Sequence, residues 1–172
     1  RELERVVEEA RRLVEEHTEE IERSADKARK LNEEHSRRVD EIFERLERLI
    51  REAEKKNSKD DKVIEDLKRK LEDITEKVKK SIDEMRKLTK DINDENRESI
   101  KRLRDEIRKI EKDVRNRELL EEIRKLVEES VERVKRLNED VNRTSKESVK
   151  RLEDLVDEIR KRVEEVVRRL KK

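Results

Sequence analysis

Two histidines and several small polar residues lie at positions that should face the core of a helix. In the stretch HTEEIERSADKARKLNEEHS, residues 17–36, these core-facing positions carry His17, Thr18, Ser24, Asn32 and His35. An imidazole ring can hold a metal ion or change its charge near neutral pH. Which of these roles is open to the two histidines depends on the neighbours that the rest of the chain supplies.

The two histidines are poor candidates for metal binding or catalysis. They are eighteen residues apart, so on one helix they face the same direction at a separation of about 27 Å, too far to share an ion. The chain has no cysteine that could complete a zinc site. A solid bundle lined by Leu and Ser offers no dry pocket in which two carboxylates could take different catalytic roles. We therefore expect no catalytic residue, no metal or other cofactor, no small-molecule substrate and no enzyme activity.

The composition indicates long helices and argues against binding to nucleic acid or membranes. Lys and Arg number 51 against 50 Asp and Glu, so the chain is 59% charged but carries a net charge of only +1. This balance gives little attraction to a polyanion, and the helix faces have no aromatic residues on which bases could stack. There is no Gly, Pro, Cys, Trp or Tyr. A chain of this makeup is typical of long helices and coiled coils.

Hydrophobic periodicity predicts three helices in one domain spanning residues 1–172. Apolar or small residues recur at alternating steps of three and four, the pattern of one helix face, in segments of about 2–56, 59–113 and 117–171. Asn57 and Ser58 are suited to end the first helix and cap the second, and Asn116 is suited to cap the third. Because short loops force antiparallel neighbours, we predict an all-α, up-down-up bundle of three coiled-coil-like helices.

Folding the chain at these turns brings the polar core positions to three common heights. The first set joins the His17 and Thr18 region to that of Ser99 and Ser130. The second brings Ser24 level with residues 89–93 and with Asn138, and the third brings residues 32–36 level with Ser81 and residues 144–148. A buried polar group without a partner costs about 1–3 kcal/mol, so clustering allows each group to satisfy another and penalises any register that separates them. The predicted structural network comprises His17, Thr18, Ser24, Asn32, His35, Ser36, Ser81, Thr89, Asn93, Asn96, Ser99, Ser130, Asn138, Thr144, Ser145 and Ser148.

At this point the sequence resembles computationally designed helical bundles that contain buried hydrogen-bond networks. The resemblance covers the whole chain and rests on the missing residue types, on short loops, on surfaces such as KRLEDLVDEIRKRVEEVVRRLKK, and on the polar layers. It implies a synthetic structural or assembly module in which the network sets the oligomeric state or selects a partner. It also implies no natural activity, and production in the cytoplasm of a heterologous host.

The widths of the apolar stripes suggest that a fourth helix is missing. In the first and third helices, two consecutive apolar residues often widen the stripe, as at Val6 and Val7 or Leu126 and Val127. In the second helix this occurs only at Val63 and Ile64. A wide stripe packs against more neighbours than a narrow one. We therefore expect an apolar groove between helices 1 and 3 that recruits another copy or a designed partner helix, which makes the bundle part of a larger helical oligomer.

Two alternative functions remain open from the sequence. In the first, buried and neutral His17 and His35 make assembly pH-responsive, because folding would then weaken as the pH falls. In the second, the chain is a closed monomeric three-helix scaffold. No apolar run exceeds two residues, so the sequence predicts a soluble chain without a targeting signal or a membrane-spanning segment.

Overall fold

The computed structural model contains three α-helices and no strand in the part of the chain that it describes. It describes the backbone of residues 2–56 and 61–172 and the side chains of residues 4–55 and 61–172. The helices are α1 (Glu2–Lys56), α2 (Asp61–Glu111) and α3 (Arg117–Lys171). The turn predicted at Asn57 and Ser58 lies outside the described residues.

The connection between α2 and α3 is a short turn held by local hydrogen bonds. The Val114 N–H donates to the Glu111 carbonyl at 3.1 Å, which closes the end of α2. The side-chain oxygen of Asn116 accepts from the Glu118 N–H at 3.0 Å, and the Asn116 carbonyl accepts from the Leu120 N–H at 3.2 Å. Asn116 is therefore the N-cap of α3, as its residue type predicted.

The chain divides into two compact units, each built from part of every helix. Unit 1 comprises residues 1–29 and 88–143, and unit 2 comprises residues 30–87 and 144–172. In each unit, one segment from each of the three helices packs around a separate cluster of apolar side chains.

In unit 1 the core is made mostly of small aliphatic side chains from all three helices. α1 and α3 run parallel, because ion pairs join Arg11 to Glu122 and, further along both helices, Glu22 to Arg133. α2 and α3 are joined by the short turn and run antiparallel. The buried cluster comprises Val7, Ala10, Val14, Leu103, Ile107, Val114, Ile123, Val127 and Val131.

In unit 2 the core is larger and contains bulkier side chains. Here too α1 runs parallel to α3, since Asp40 pairs with Arg151 and Glu47 pairs with Arg162. The buried cluster comprises Val39, Phe43, Leu46, Ile50, Ala53, Ile64, Leu67, Ile74, Val78, Ile82, Met85, Val149, Leu152, Ile159, Val163, Val166, Val167 and Leu170. Full burial of one such Leu, Ile or Phe side chain stabilises the fold by about 1.5–3 kcal/mol.

Apolar side chains lie in the interior and charged side chains on the surface with almost no exceptions among the described residues. Among the described side chains, every Ala, Val, Ile, Leu, Met and Phe is buried or half-buried, and every exposed residue is charged except Asn116. This is the pattern expected when the three-and-four spacing of a helix places all apolar residues on one face. The all-α, three-helix bundle with up-down-up connectivity predicted from the sequence is confirmed.

Candidate functional site

His17 lies at the contact between α1 and α2 in unit 1, where both of its ring nitrogens face α2. Its Nδ1 is 2.9 Å from the Ser99 hydroxyl, and its Nε2 is 3.6 Å from a Glu106 carboxylate oxygen. A carboxylate near Nε2 favours a proton on that nitrogen, which leaves Nδ1 to accept from the Ser99 hydroxyl. Ser99 therefore donates to one ring nitrogen of His17, while Glu106 lies at ion-pair distance from the other.

Thr18 and Ser130 make the corresponding contact between α1 and α3. Their hydroxyl oxygens are 2.7 Å apart, and the Thr18 hydroxyl is also 2.7 Å from the Val14 carbonyl. Because the carbonyl can only accept, Thr18 donates to it and accepts from Ser130. The two side chains are only 8% and 7% exposed, so this pair is made away from water.

Two asparagine pairs join α2 to α3 in unit 1. The Asn96 amide donates to the Asn138 side-chain oxygen at 2.6 Å, and the Asn93 amide donates to that of Asn142 at 2.8 Å. Asn96 is 2% exposed, whereas the other three are half-buried. The Asn93 side-chain oxygen is buried and accepts no hydrogen bond. The Asn96 pair is therefore the more completely enclosed of the two.

Asn142 was not among the residues selected from the sequence. It lies one helical turn beyond Asn138 on α3, just as Asn93 lies one turn from Asn96 on the antiparallel α2. This matched spacing of asparagines is present in the sequence and would have predicted the second pair. Estimating heights along the bundle aligned Asn138 with the stretch from Thr89 to Asn93, whereas in the structure Asn138 contacts Asn96, a turn further along α2.

Among the described residues, four buried polar side chains lie in unit 1 and two, Asn32 and Ser145, lie in unit 2. The His35 Nε2 is 3.5 Å from a Glu84 carboxylate oxygen, which places this imidazole between α1 and α2. Asn32 is 4% exposed, and its side-chain oxygen is buried without a hydrogen bond. Ser145 is also buried, at 5% exposure.

The other predicted network residues line the same helix faces. Ser24 lies in unit 1 beside a groove of about 440 Å³ between α1 and α2, to which Asn96 and Ser99 also contribute. The side chains at the remaining predicted positions are half-buried; these are Ser36, Ser81, Thr89, Thr144 and Ser148. Half-burial leaves a hydroxyl within reach of solvent, so a hydrogen bond to another helix is not required at these positions.

Ser99, His17 and Glu106 have the residue types of an acyl-transfer triad but lack the surroundings that this chemistry needs. Ser99 is 4% exposed, so its hydroxyl is closed to a substrate carbonyl. It also lies well inside α2, where each backbone N–H is used by the helix, so no neighbouring backbone donors can stabilise an oxyanion. The arrangement can position helices, but it does not supply the parts of a hydrolytic site.

The described residues contain neither a metal-binding cluster nor a membrane-spanning segment. No three His, Cys, Asp or Glu side chains among them are grouped so that they could hold an ion. No helix in the described part of the chain combines the length and apolar content needed to cross a bilayer.

Comparison with known proteins gives a structural likeness without a family. No protein-family model matches the sequence, and no curated protein matches it. The chain is similar to a solved structure described as a computationally designed three helix bundle, with 19% sequence identity and a TM-score of 0.46. The similarity covers 98% of this chain and 88% of that one.

Proposed function

We propose that this chain is a structural scaffold of the designed-bundle kind, in which buried polar pairs determine how the helices pack. The observation that carries the proposal is that each pair of helices in unit 1 has its own polar contact. His17 with Ser99 joins α1 to α2, Thr18 with Ser130 joins α1 to α3, and Asn96 with an asparagine of α3 joins α2 to α3.

These contacts act mainly by penalising wrong arrangements. A sheltered hydrogen bond adds only about 0.5–1.5 kcal/mol to stability, because the same groups bond to water in the unfolded chain. Sliding α1 by a turn would instead separate His17 from Ser99 and Thr18 from Ser130, and the buried Ser130 hydroxyl would lose its acceptor. Each buried group that loses its partner costs about 1–3 kcal/mol, so the two pairs broken by such a shift disfavour it by a few kcal/mol.

The distribution of apolar residues supports a closed scaffold. A bundle that lacks a fourth helix would expose an apolar strip along the gap, whereas no described apolar residue is exposed. In addition, the α1–α3 side is crossed in unit 1 by the Arg11–Glu122 and Glu22–Arg133 pairs. An added helix on this side would have to remove those charges from water, which is costly.

Light-scattering mass measured over a range of concentrations tests the proposal. The expected mass is 21.1 kDa at every concentration. The matched variant replaces Thr18→Val, Ser130→Ala, Asn96→Leu and Asn138→Leu, which keeps the core apolar but removes two of the three pairs. We expect this variant to form mixed oligomers or to give a heterogeneous amide NMR spectrum. A variant that stays a single 21.1 kDa species with one sharp set of resonances would contradict a role for the pairs in specificity.

A second candidate is association through the side between α1 and α3. The observation that favours it is a groove of about 480 Å³ in unit 1, lined by Val14, Thr18, Leu126 and Ser130 among others. A partner helix or a second copy would place its apolar residues over the half-buried Leu126 and displace Arg133. A stable multiple of 21.1 kDa in the light-scattering experiment, lost in Leu126→Glu, would favour this candidate over the closed scaffold.

If the module responds to pH through its histidines, their placement gives a response opposite in sign to the one expected for buried, neutral rings. Each imidazole faces a glutamate of α2, so protonation would create a charged pair between α1 and α2. The Ser99 hydroxyl can rotate from donor to acceptor, so its contact with His17 survives protonation. Unfolding midpoints at pH 7.5 and 4.5 test this function, with His17→Asn, His35→Asn as the control. The same midpoint difference in both proteins would exclude the histidines as its source.

A further inference from the structure

The two units differ in the kind of core that they bury. Among the described residues, fifteen apolar side chains are buried in unit 1 and eighteen in unit 2. Ten of the fifteen in unit 1 are Val or Ala, whereas seven of the eighteen in unit 2 are. Unit 2 also holds the only Phe and the only Met of the chain, both buried. Because stabilisation follows the apolar area removed from water, unit 2 has the stronger core.

The apolar residues of unit 1 are also less continuous. Nine of them form one cluster, while Ile21, Ala25, Ala28, Ile92, Val134 and Val141 are buried outside it. They lie along the same helices as the His17, Thr18, Asn93 and Asn96 contacts, whose polar atoms replace apolar packing. In unit 2 all eighteen buried apolar residues belong to a single cluster. Polar pairs add specificity but little net stability, so they do not compensate for the smaller core.

From these observations we propose that the fold contains a built-in opening step, in which unit 1 unfolds while unit 2 remains folded. Local opening of this kind proceeds through contiguous units that differ in stability, and the unit with the smaller buried apolar core opens at lower free energy. The helices of unit 1 then separate at the His17, Thr18 and Asn96 contacts, and the apolar faces of residues 4–29 and 88–143 become accessible.

Amide hydrogen exchange of the full chain, measured by NMR in low concentrations of urea, tests the proposal. The slowest amides of residues 103–107 and 123–131 are expected to exchange at least tenfold faster than those of residues 74–85 and 152–163. Their exchange should also depend less on urea, because opening of unit 1 exposes less surface than global unfolding. Equal rates and equal urea dependence in both units would overturn the proposal.

A matched pair of substitutions makes the test sharper. Leu103 in unit 1 and Leu152 in unit 2 are 2% and 1% exposed, so Leu→Ala removes the same buried group from each. If unit 1 opens alone, Leu152→Ala accelerates exchange in unit 2 and leaves unit 1 unchanged, because the altered side chain stays packed in the open state. Leu103→Ala accelerates exchange in both units, since both openings disrupt its site. Equal acceleration of both units by Leu152→Ala would show one cooperative transition and refute the proposal.

Discussion

Truncation of Asn96 is the most direct test of the energetic role of the polar pairs. Asn96 is 2% exposed, and its amide donates to the Asn138 side-chain oxygen at 2.6 Å. Asn96→Ala removes this hydrogen bond, worth about 0.5–1.5 kcal/mol, and leaves the Asn138 oxygen with a poorer partner. Adding the loss of packing, we expect the variant to be less stable by about 1–3 kcal/mol.

The measurement is urea unfolding followed by circular dichroism at 222 nm, because the chain has no Trp or Tyr to serve as a fluorescent probe. Hydrogen exchange of the unit 1 amides measures the same loss of stability locally, around the substituted residue. The matched control is Glu95→Ala, an exposed neighbour on the same helix, for which we expect a change within about 0.5 kcal/mol. A loss in Asn96→Ala no larger than in this control would refute the reasoning.

The double variant separates stability from specificity. Replacing both Asn96 and Asn138 by Leu puts an apolar pair where the amide pair was, so no polar atom is stranded. Such replacements are often neutral or stabilising even though either single replacement is harmful. We therefore expect a coupling energy of about 0.5–3 kcal/mol between the two sites. Additive single effects would mean that the two side chains do not act as a pair.

Three further outcomes are expected. Leu46→Ala, at a site 1% exposed in unit 2, should cost about 2–5 kcal/mol in urea unfolding, and a cost below 1 kcal/mol would mean that the site collapses around the smaller side chain. Arg151→Ala should cost no more than about 1 kcal/mol, and the cost should shrink in high salt, because its pair with Asp40 is exposed; a salt-independent loss would indicate packing instead. Thr18→Val should destabilise by about 1–3 kcal/mol, because the buried Ser130 hydroxyl loses its acceptor, and Ser130→Ala added to it should recover part of that loss.

The sequence was sufficient to predict the helices and their order. Spacing alone identified the core face, which includes Val39 and Leu46 on α1 and Leu103 on α2, all at most 2% exposed. The cap at Asn116 also followed from residue type, because few residues other than Asn, Asp, Ser and Thr can accept from the first free N–H groups of a helix.

The pairing of individual polar residues was harder to predict. Heights estimated from loop positions are accurate only to about one helical turn, because supercoiling and loop length both shift the register. An error of one turn changes little for interchangeable Leu and Val residues, but it changes the partner of an asparagine such as Asn138. The glutamates that face the histidines, Glu84 and Glu106, could not be distinguished by sequence from the many other exposed carboxylates.

The nearly complete partition of charged side chains to the outside has a consequence for proteolysis. Lys and Arg number 51, and those described are almost all exposed, so a trypsin cleavage sequence recurs every one to three turns along each helix. The protease cannot use these sites while the backbone is helical, because cleavage needs an extended segment. Digestion of this chain is therefore limited by how often its helices unwind, and the first fragments released identify the segment that unwinds most readily.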